Sequence, residues 1–150
     1  MSGAAIKVKM WMNPPEHTVD RGTTVEEAFA VMAREGIRHL LVVDESEELV
    51  GVVTDRDLRR PTIDGEVMTV EAMYKVGEAL KVRDVMTASP MTVGPETHAA
   101  EAARMMVENK FNCLPVVDRD GGLVGITTSV DLLSALVHET DPLAAELEAS

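Results

Sequence analysis

Two nine-residue runs hold the residues best equipped for chemistry. Leu49-Val50-Gly51-Val52-Val53-Thr54-Asp55-Arg56-Asp57 and Leu123-Val124-Gly125-Ile126-Thr127-Thr128-Ser129-Val130-Asp131 each deliver a threonine and, three residues later, an aspartate, directly after an aliphatic segment. The Val- and Ile-rich segment predicts a strand, and Thr-x-x-Asp predicts the start of a helix. A strand-to-helix junction presents unpaired backbone N–H groups and the positive end of a helix dipole beside a hydroxyl and a carboxylate. Such a set can hold a sugar phosphate. It also describes a plain helix cap, with Thr54 and Thr128 capping and Asp57 and Asp131 favouring the first turn. The two readings are compatible.

The two runs are passages of one repeat. At an offset of 74 residues, positions 6–58 lie over 80–132 without a gap and share 19 identities in 53 positions, against roughly 3 expected from average usage. Each copy reads strand, helix, strand, strand, helix. In the first, Ile6 to Val19 predicts an extended lead-in, a turn at Met12-Asn13-Pro14-Pro15 and a brief strand at Thr18-Val19. Thr24-Val25-Glu26-Glu27 has the form of a helix start, and Gly36 is a suitable stop. Ile37 to Asp44 and Leu49 to Val53 then form strands whose four-residue connection permits only an antiparallel pair, and a helix from Asp55 ends near Arg60, before Pro61. These signals divide the chain into units 6–60 and 80–137, a connector 61–79 with a short amphipathic helix on Val67, Val70, Met73 and Tyr74, and a polar tail 138–150.

Composition narrows the chemistry. The chain of 150 residues is long enough to bury a core unaided. Hydrophobic residues make up 45% and aromatics 3%, so no aromatic stacking platform is available. A net charge of -12 repels phosphate backbones at long range and argues against a nucleic-acid polymer as partner. A single phosphate is a different matter, since Arg38, His39 and Arg56 can supply local positive charge. His17, His39, His98 and His138 lack metal-ligand spacing. Cys113, the only cysteine, reads as a small buried residue of a protein in a reducing cytosol. The aliphatic runs are too short for a membrane span, and nothing marks a nucleophile-base pair, so neither a membrane partner nor catalysis is expected.

The series Val85-Met86-Thr87, Pro90-Met91-Thr92-Val93, an Ala-rich helix, Leu114-Pro115-Val116-Val117-Asp118 and the second key run resembles the CBS domain, named for cystathionine beta-synthase. Occurring twice, it resembles the tandem arrangement called a Bateman module, over about residues 6–137. The resemblance implies an α/β (α+β) fold of two β-α-β-β-α units packed by pseudo-twofold symmetry, with clefts between them that commonly bind adenosine-containing ligands. It implies that Thr54 and Asp57 serve one cleft and Thr128 and Asp131 the other, the aspartates binding ribose. The opposing unit is then expected to lend Thr92 to the first cleft and Thr18 to the second. Ile37, Arg38 and His39, and in the second copy Phe111, Asn112 and Cys113, would wall the adenine or meet phosphate, with Arg56 a further cation.

The function so implied is a non-catalytic sensor of AMP, ADP, ATP or S-adenosylmethionine that alters the packing of a homodimer or a regulated protein partner. The alternative is a dimerisation scaffold whose clefts stay empty. Two departures stand out, Leu41 against Pro115 and the Met12-Asn13 lead-in against Met86-Thr87. Neither is expected to remove a ligand group, but copy one concentrates charge at Asp55-Arg56 where copy two has Ser129-Val130, so the two clefts should differ and occupancy of one alone is allowed for.

Overall fold

The computed structural model describes residues 6–15, 17–59, 62–63, 66–67 and 80–141, folded as two compact units, one of residues 16–90 and the other of residues 1–15 with 91–150. In the unit 16–90, β1 (Thr18–Asp20), α1 (Val25–Glu35), β2 (His39–Val43), β3 (Leu49–Thr54) and α2 (Asp55–Arg59) follow the expected order. The Thr24 hydroxyl accepts the Glu27 N–H at 3.0 Å, and Gly36 closes α1 with a left-handed φ of 67°. β2 and β3 are antiparallel, and the Asp44 carboxylate closes their turn by accepting the N–H groups of Ser46 and Glu48.

After α2 come β4 (Thr62–Ile63) and β5 (Glu66–Val67), an antiparallel pair. Val67, expected on a connector helix, is therefore in a strand, and the rest of that expected helix lies outside the described residues. The unit is completed by α3 (Val82–Val85) and β6 (Thr87–Ala88), giving a sheet of order β1-β2-β3-β6. Leu40, Val42 and Val53 point to one face of this sheet and pack with Val25, Ala28, Met32, Leu58, Leu80, Val82 and Val85. Residues of the other parity share the opposite face.

The second unit repeats the plan with α4 (Ala99–Asn109), β7 (Cys113–Val117), β8 (Leu123–Thr128) and α5 (Ser129–Thr140). Its counterpart of β1 is a single parallel bridge, Val93 to Val116. The core joins Val8, Val93, Ala102, Met106, Leu114 and Val116. Helix α5 runs to Thr140, so the first residues of the expected polar tail are helical, the Thr140 hydroxyl donating to the Leu136 carbonyl at 2.7 Å. Residues 142–150 lie outside the described residues. Among the described residues no helix is long and apolar enough to cross a membrane, and no group of three or more His, Cys, Asp or Glu is placed to hold a metal ion.

The compact units do not coincide with the sequence repeats, because the lead-ins are exchanged. Residues 6–13 open the first repeat yet pack in the unit built on the second. There Ile6 accepts the Ala99 N–H at 2.9 Å, Val8 donates to the Thr97 carbonyl at 2.8 Å, and Trp11 meets His138 edge-on with ring centroids 5.5 Å apart. Lys7 and Lys9 both bond Glu96, at 2.6 and 2.7 Å, and these ammonium groups push the Glu96 carboxyl down to about 2. The lead-in of the second repeat does the same in the unit 16–90, where Val25 donates to Leu80 at 3.1 Å and Val82 to Thr23 at 2.8 Å. Val8 to Met10, expected to be extended, coil instead into a single 3₁₀ turn that drops Val8 into the core.

Each exchanged segment ends beside a glycine. A Cβ on Gly51 would stand 2.5 Å from Met86 Sδ and 3.0 Å from the Thr87 carbonyl. One on Gly125 would stand 2.7 Å from the Asn13 carbonyl and 2.9 Å from Met12 Sδ. The glycine in each key run is thus what lets the lead-in come close.

Candidate functional site

Each unit carries one junction. In the unit 16–90, the Thr54 N–H donates to Asp57 Oδ2 at 2.9 Å and the Asp57 N–H donates to Thr54 Oγ1 at 3.2 Å. The Asp55 N–H reaches the Arg38 carbonyl at 2.9 Å, tying the entry of α2 to the start of β2. His39 is the cross-strand partner of Thr54. In the neighbouring row β1, β2, β3 and β6 set Thr18, Leu41, Val52 and Thr87 side by side. By strand alternation, Thr18, His39 and Thr54 occupy the sheet face turned away from the core of their unit.

The electrostatics of this junction centre on His39. Burial is the main cause that pushes its pKa below the usual 6.5; Arg38 adds to that, while Asp55 and Asp57 oppose it. Arg38 and Arg56 are exposed, and among the described residues neither is ion-paired, whereas Arg59 reaches Asp55 at 3.9 Å. The arrangement therefore offers two exposed guanidinium groups, Arg38 beside an imidazole that favours its neutral form and Arg56 on the first turn of α2. Ile37 packs its side chain against the core, so it borders the junction rather than opening into it.

The second junction has the same frame. Thr128 N–H donates to Asp131 Oδ2 at 2.8 Å, Asp131 N–H to Thr128 Oγ1 at 3.2 Å, and Ser129 N–H to the Asn112 carbonyl at 2.9 Å. Cys113 pairs with Thr128 across the strands and is buried, Asn112 is exposed, and Phe111 leans on the core. Thr92, half-buried, sits one residue before the Val93 bridge. No guanidinium replaces Arg38 or Arg56 here, because Asn112 and Val130 occupy those places in the repeat.

The cap reading is realised in both copies, since each threonine and aspartate satisfies the other's backbone N–H. Thr18 is brought into the same unit as Thr54 and Asp57, and Thr92 into the unit of Thr128 and Asp131. One residue escaped the sequence reading. Asn13 Nδ2 donates to both Asp131 oxygens, at 3.1 and 3.0 Å, so the departure at Met12-Asn13 does reach an expected ligand group. Its signal was present in the sequence as the Asn13 to Thr87 mismatch, but without knowledge of the lead-in exchange it pointed to the wrong copy.

Comparison with known proteins bears on both halves of the chain. The chain is 34% identical over 140 residues to the chloroplastic CBS domain-containing protein CBSX1 of Arabidopsis thaliana, covering 81% of this chain and 59% of that one. It thus spans well under two thirds of that relative's length. Among solved structures, CBSX2 in complex with AMP superposes with a TM-score of 0.73 at 35% identity, covering 89% of this chain and 98% of that one. The cytosolic domain of the Mg2+ channel MgtE in complex with ATP gives a TM-score of 0.67 at 31% identity, covering 87% of this chain and 48% of that one. The CBS domain family matches residues 7–61 and again residues 82–138. With both repeats matched, the chain belongs to the CBS domain family as a tandem pair.

Proposed function

We propose that this chain is a non-catalytic regulatory module that binds an adenosine-containing ligand, AMP, ADP, ATP or S-adenosylmethionine, with its Thr-x-x-Asp junctions gripping the ribose. The observation that carries the reading is the state of Asp57. Its Oδ2 takes the Thr54 N–H, while Oδ1 has no partner among the described residues. Vicinal ribose hydroxyls donating to that carboxylate form charge-assisted bonds, stronger than neutral ones. Arg38 and Arg56, exposed and among the described residues not ion-paired, stand ready for a phosphate, and His39 beside Arg38 favours its charged form when an anion settles next to it. The solved complexes of CBSX2 with AMP and of the MgtE domain with ATP support the same ligand class.

Regulation then requires two states that differ in ligand affinity, since a ligand shifts an equilibrium only by that difference. A homodimer, with a regulated protein partner beyond it, is the reading's output. Val130, Leu133 and Val137 form an exposed apolar stripe on α5, between 58% and 67% accessible, and Leu136 of α5 and Val107 of α4 are exposed as well. This stripe also favours the second reading, a dimerisation scaffold that needs no ligand. The buried Cys113 as sole cysteine fits a reducing compartment such as the cytosol.

Titration calorimetry with AMP, ATP and S-adenosylmethionine separates the two readings. The first expects binding that Asp57→Ala weakens roughly tenfold or more, the worth of about 1.5 to 3 kcal/mol for a charge-assisted hydrogen bond. Absence of heat with all three ligands, in a protein that sediments as a dimer, would leave the scaffold reading.

A further inference from the structure

We propose that Asn13 is a specificity-determining residue: its carboxamide occupies Asp131 in place of a sugar, so that the two junctions are unequal and the Asp57 site fills first. This rests on the nucleoside reading above and adds to it an order of occupancy. The starting point is that the two lead-ins hold the same register. Thr87 lies opposite Val52 in one unit, and Asn13 bridges Ile126 in the other, each pair 74 residues from its counterpart. Asn13 is fixed there by both of its backbone groups, its N–H to the Ile126 carbonyl at 2.9 Å and the Ile126 N–H to its carbonyl at 2.9 Å. The backbone pairing at this position is therefore the same in the two units, and the side chain it presents differs.

That side chain reaches the acid. Asn13 Nδ2 lies 3.1 Å from Oδ1 and 3.0 Å from Oδ2 of Asp131. An ionised carboxylate accepts and never donates, so only the NH2 end of the carboxamide can face it. Asp131 Oδ2 already takes the Thr128 N–H, and the amide now engages both oxygens. The two donors of a vicinal diol would meet a carboxylate whose lone pairs are largely committed. At Asp57 the corresponding position is Thr87, which among the described residues makes no side-chain bond to the acid. Among the described residues no side chain has to leave the Asp57 carboxylate for a sugar to bind, whereas at Asp131 the amide contact must break.

Asn13 is exposed, so its contact is screened and worth less than a buried one. A handicap of about three- to tenfold in affinity follows for the Asp131 site.

The test is calorimetry with AMP on variants that leave one acid standing. With Asp57→Ala as background, Asn13→Thr is expected to tighten AMP binding three- to tenfold. With Asp131→Ala as background, Thr87→Asn is expected to weaken it by a similar factor. A readout on the unaltered protein guards against variants that do not fold: the Asn13 side-chain NH2 resonances should stay put until the first equivalent of AMP is bound and then shift. Unchanged AMP affinity in Asn13→Thr overturns the inference while leaving the nucleoside reading standing, as does a loss of affinity, which would make the amide a ligand donor. Failure of AMP to bind the unaltered protein overturns both.

Discussion

Replacing Thr127 by valine should make the protein more stable. Thr127 is fully buried, and among the described residues its hydroxyl has no hydrogen-bond partner. It lies opposite Leu114 on β8, and Leu114 belongs to the core, so the side chain points into that core. The other repeat supplies the comparison, for Val53 holds the matching position opposite Leu40 and packs in the core of its own unit. An unsatisfied buried hydroxyl costs about 1 to 3 kcal/mol, and valine fills nearly the same space with a methyl group. A gain of about 1 to 2 kcal/mol is expected, which for a chain of this size raises the melting temperature by roughly 2 to 8 °C. Urea and thermal unfolding of the pair measure it, with Thr127→Ala as a control that loses the methyl as well and must fall below valine. A Thr127→Val protein no more stable than the parent would refute the reasoning, because the hydroxyl must then be satisfied in the folded state.

Three further outcomes follow from particular contacts. Lys110 closes α4 in the left-handed region, φ 59°, where the other repeat has Gly36; Lys110→Gly should relieve about 1 to 2 kcal/mol of strain, offset by about 0.5 to 1 of chain entropy, and raise the urea midpoint slightly. Gly125→Ala places a methyl 2.7 Å from the Asn13 carbonyl, so the lead-in must move; faster hydrogen exchange at Asn13 and Ile126, with lower stability, is the expected result, and unchanged exchange would contradict it. Because His39 has a lowered pKa in the folded state, the unfolded chain takes up the proton first as pH falls below about 6.5. Stability should therefore drop on acidification through that range, and His39→Gln should flatten this part of the profile.

Much of the architecture was legible because its signals are local. Thr24 and Gly36 bound α1 through their own side chain and backbone freedom, and Thr-x-x-Asp announced both junctions within four residues. The tandem repeat likewise needed only an offset. The destination of the lead-ins was not legible, since a repeat tells which segments are alike and says nothing of which partner each one packs against. The Asn13 contact with Asp131, 118 residues away in sequence, depends on that destination and was hidden with it. At Val67 a helical spacing of apolar residues competed with a strand pair, and the pairing of Thr62 with Val67 and of Ile63 with Glu66 prevailed over the pattern.

The crossed lead-ins carry a consequence for how such a molecule can arise. A lone repeat, built on this plan, would complete itself only by trading its first dozen residues with another copy, and its folding would then depend on concentration. Joining two copies head to tail turns that trade into an event within one chain, at an effective concentration on the order of millimolar. Duplication of the gene would thus have converted an obligate association into a self-sufficient molecule, and only after that step could the two halves diverge, one toward Thr87 and the other toward Asn13.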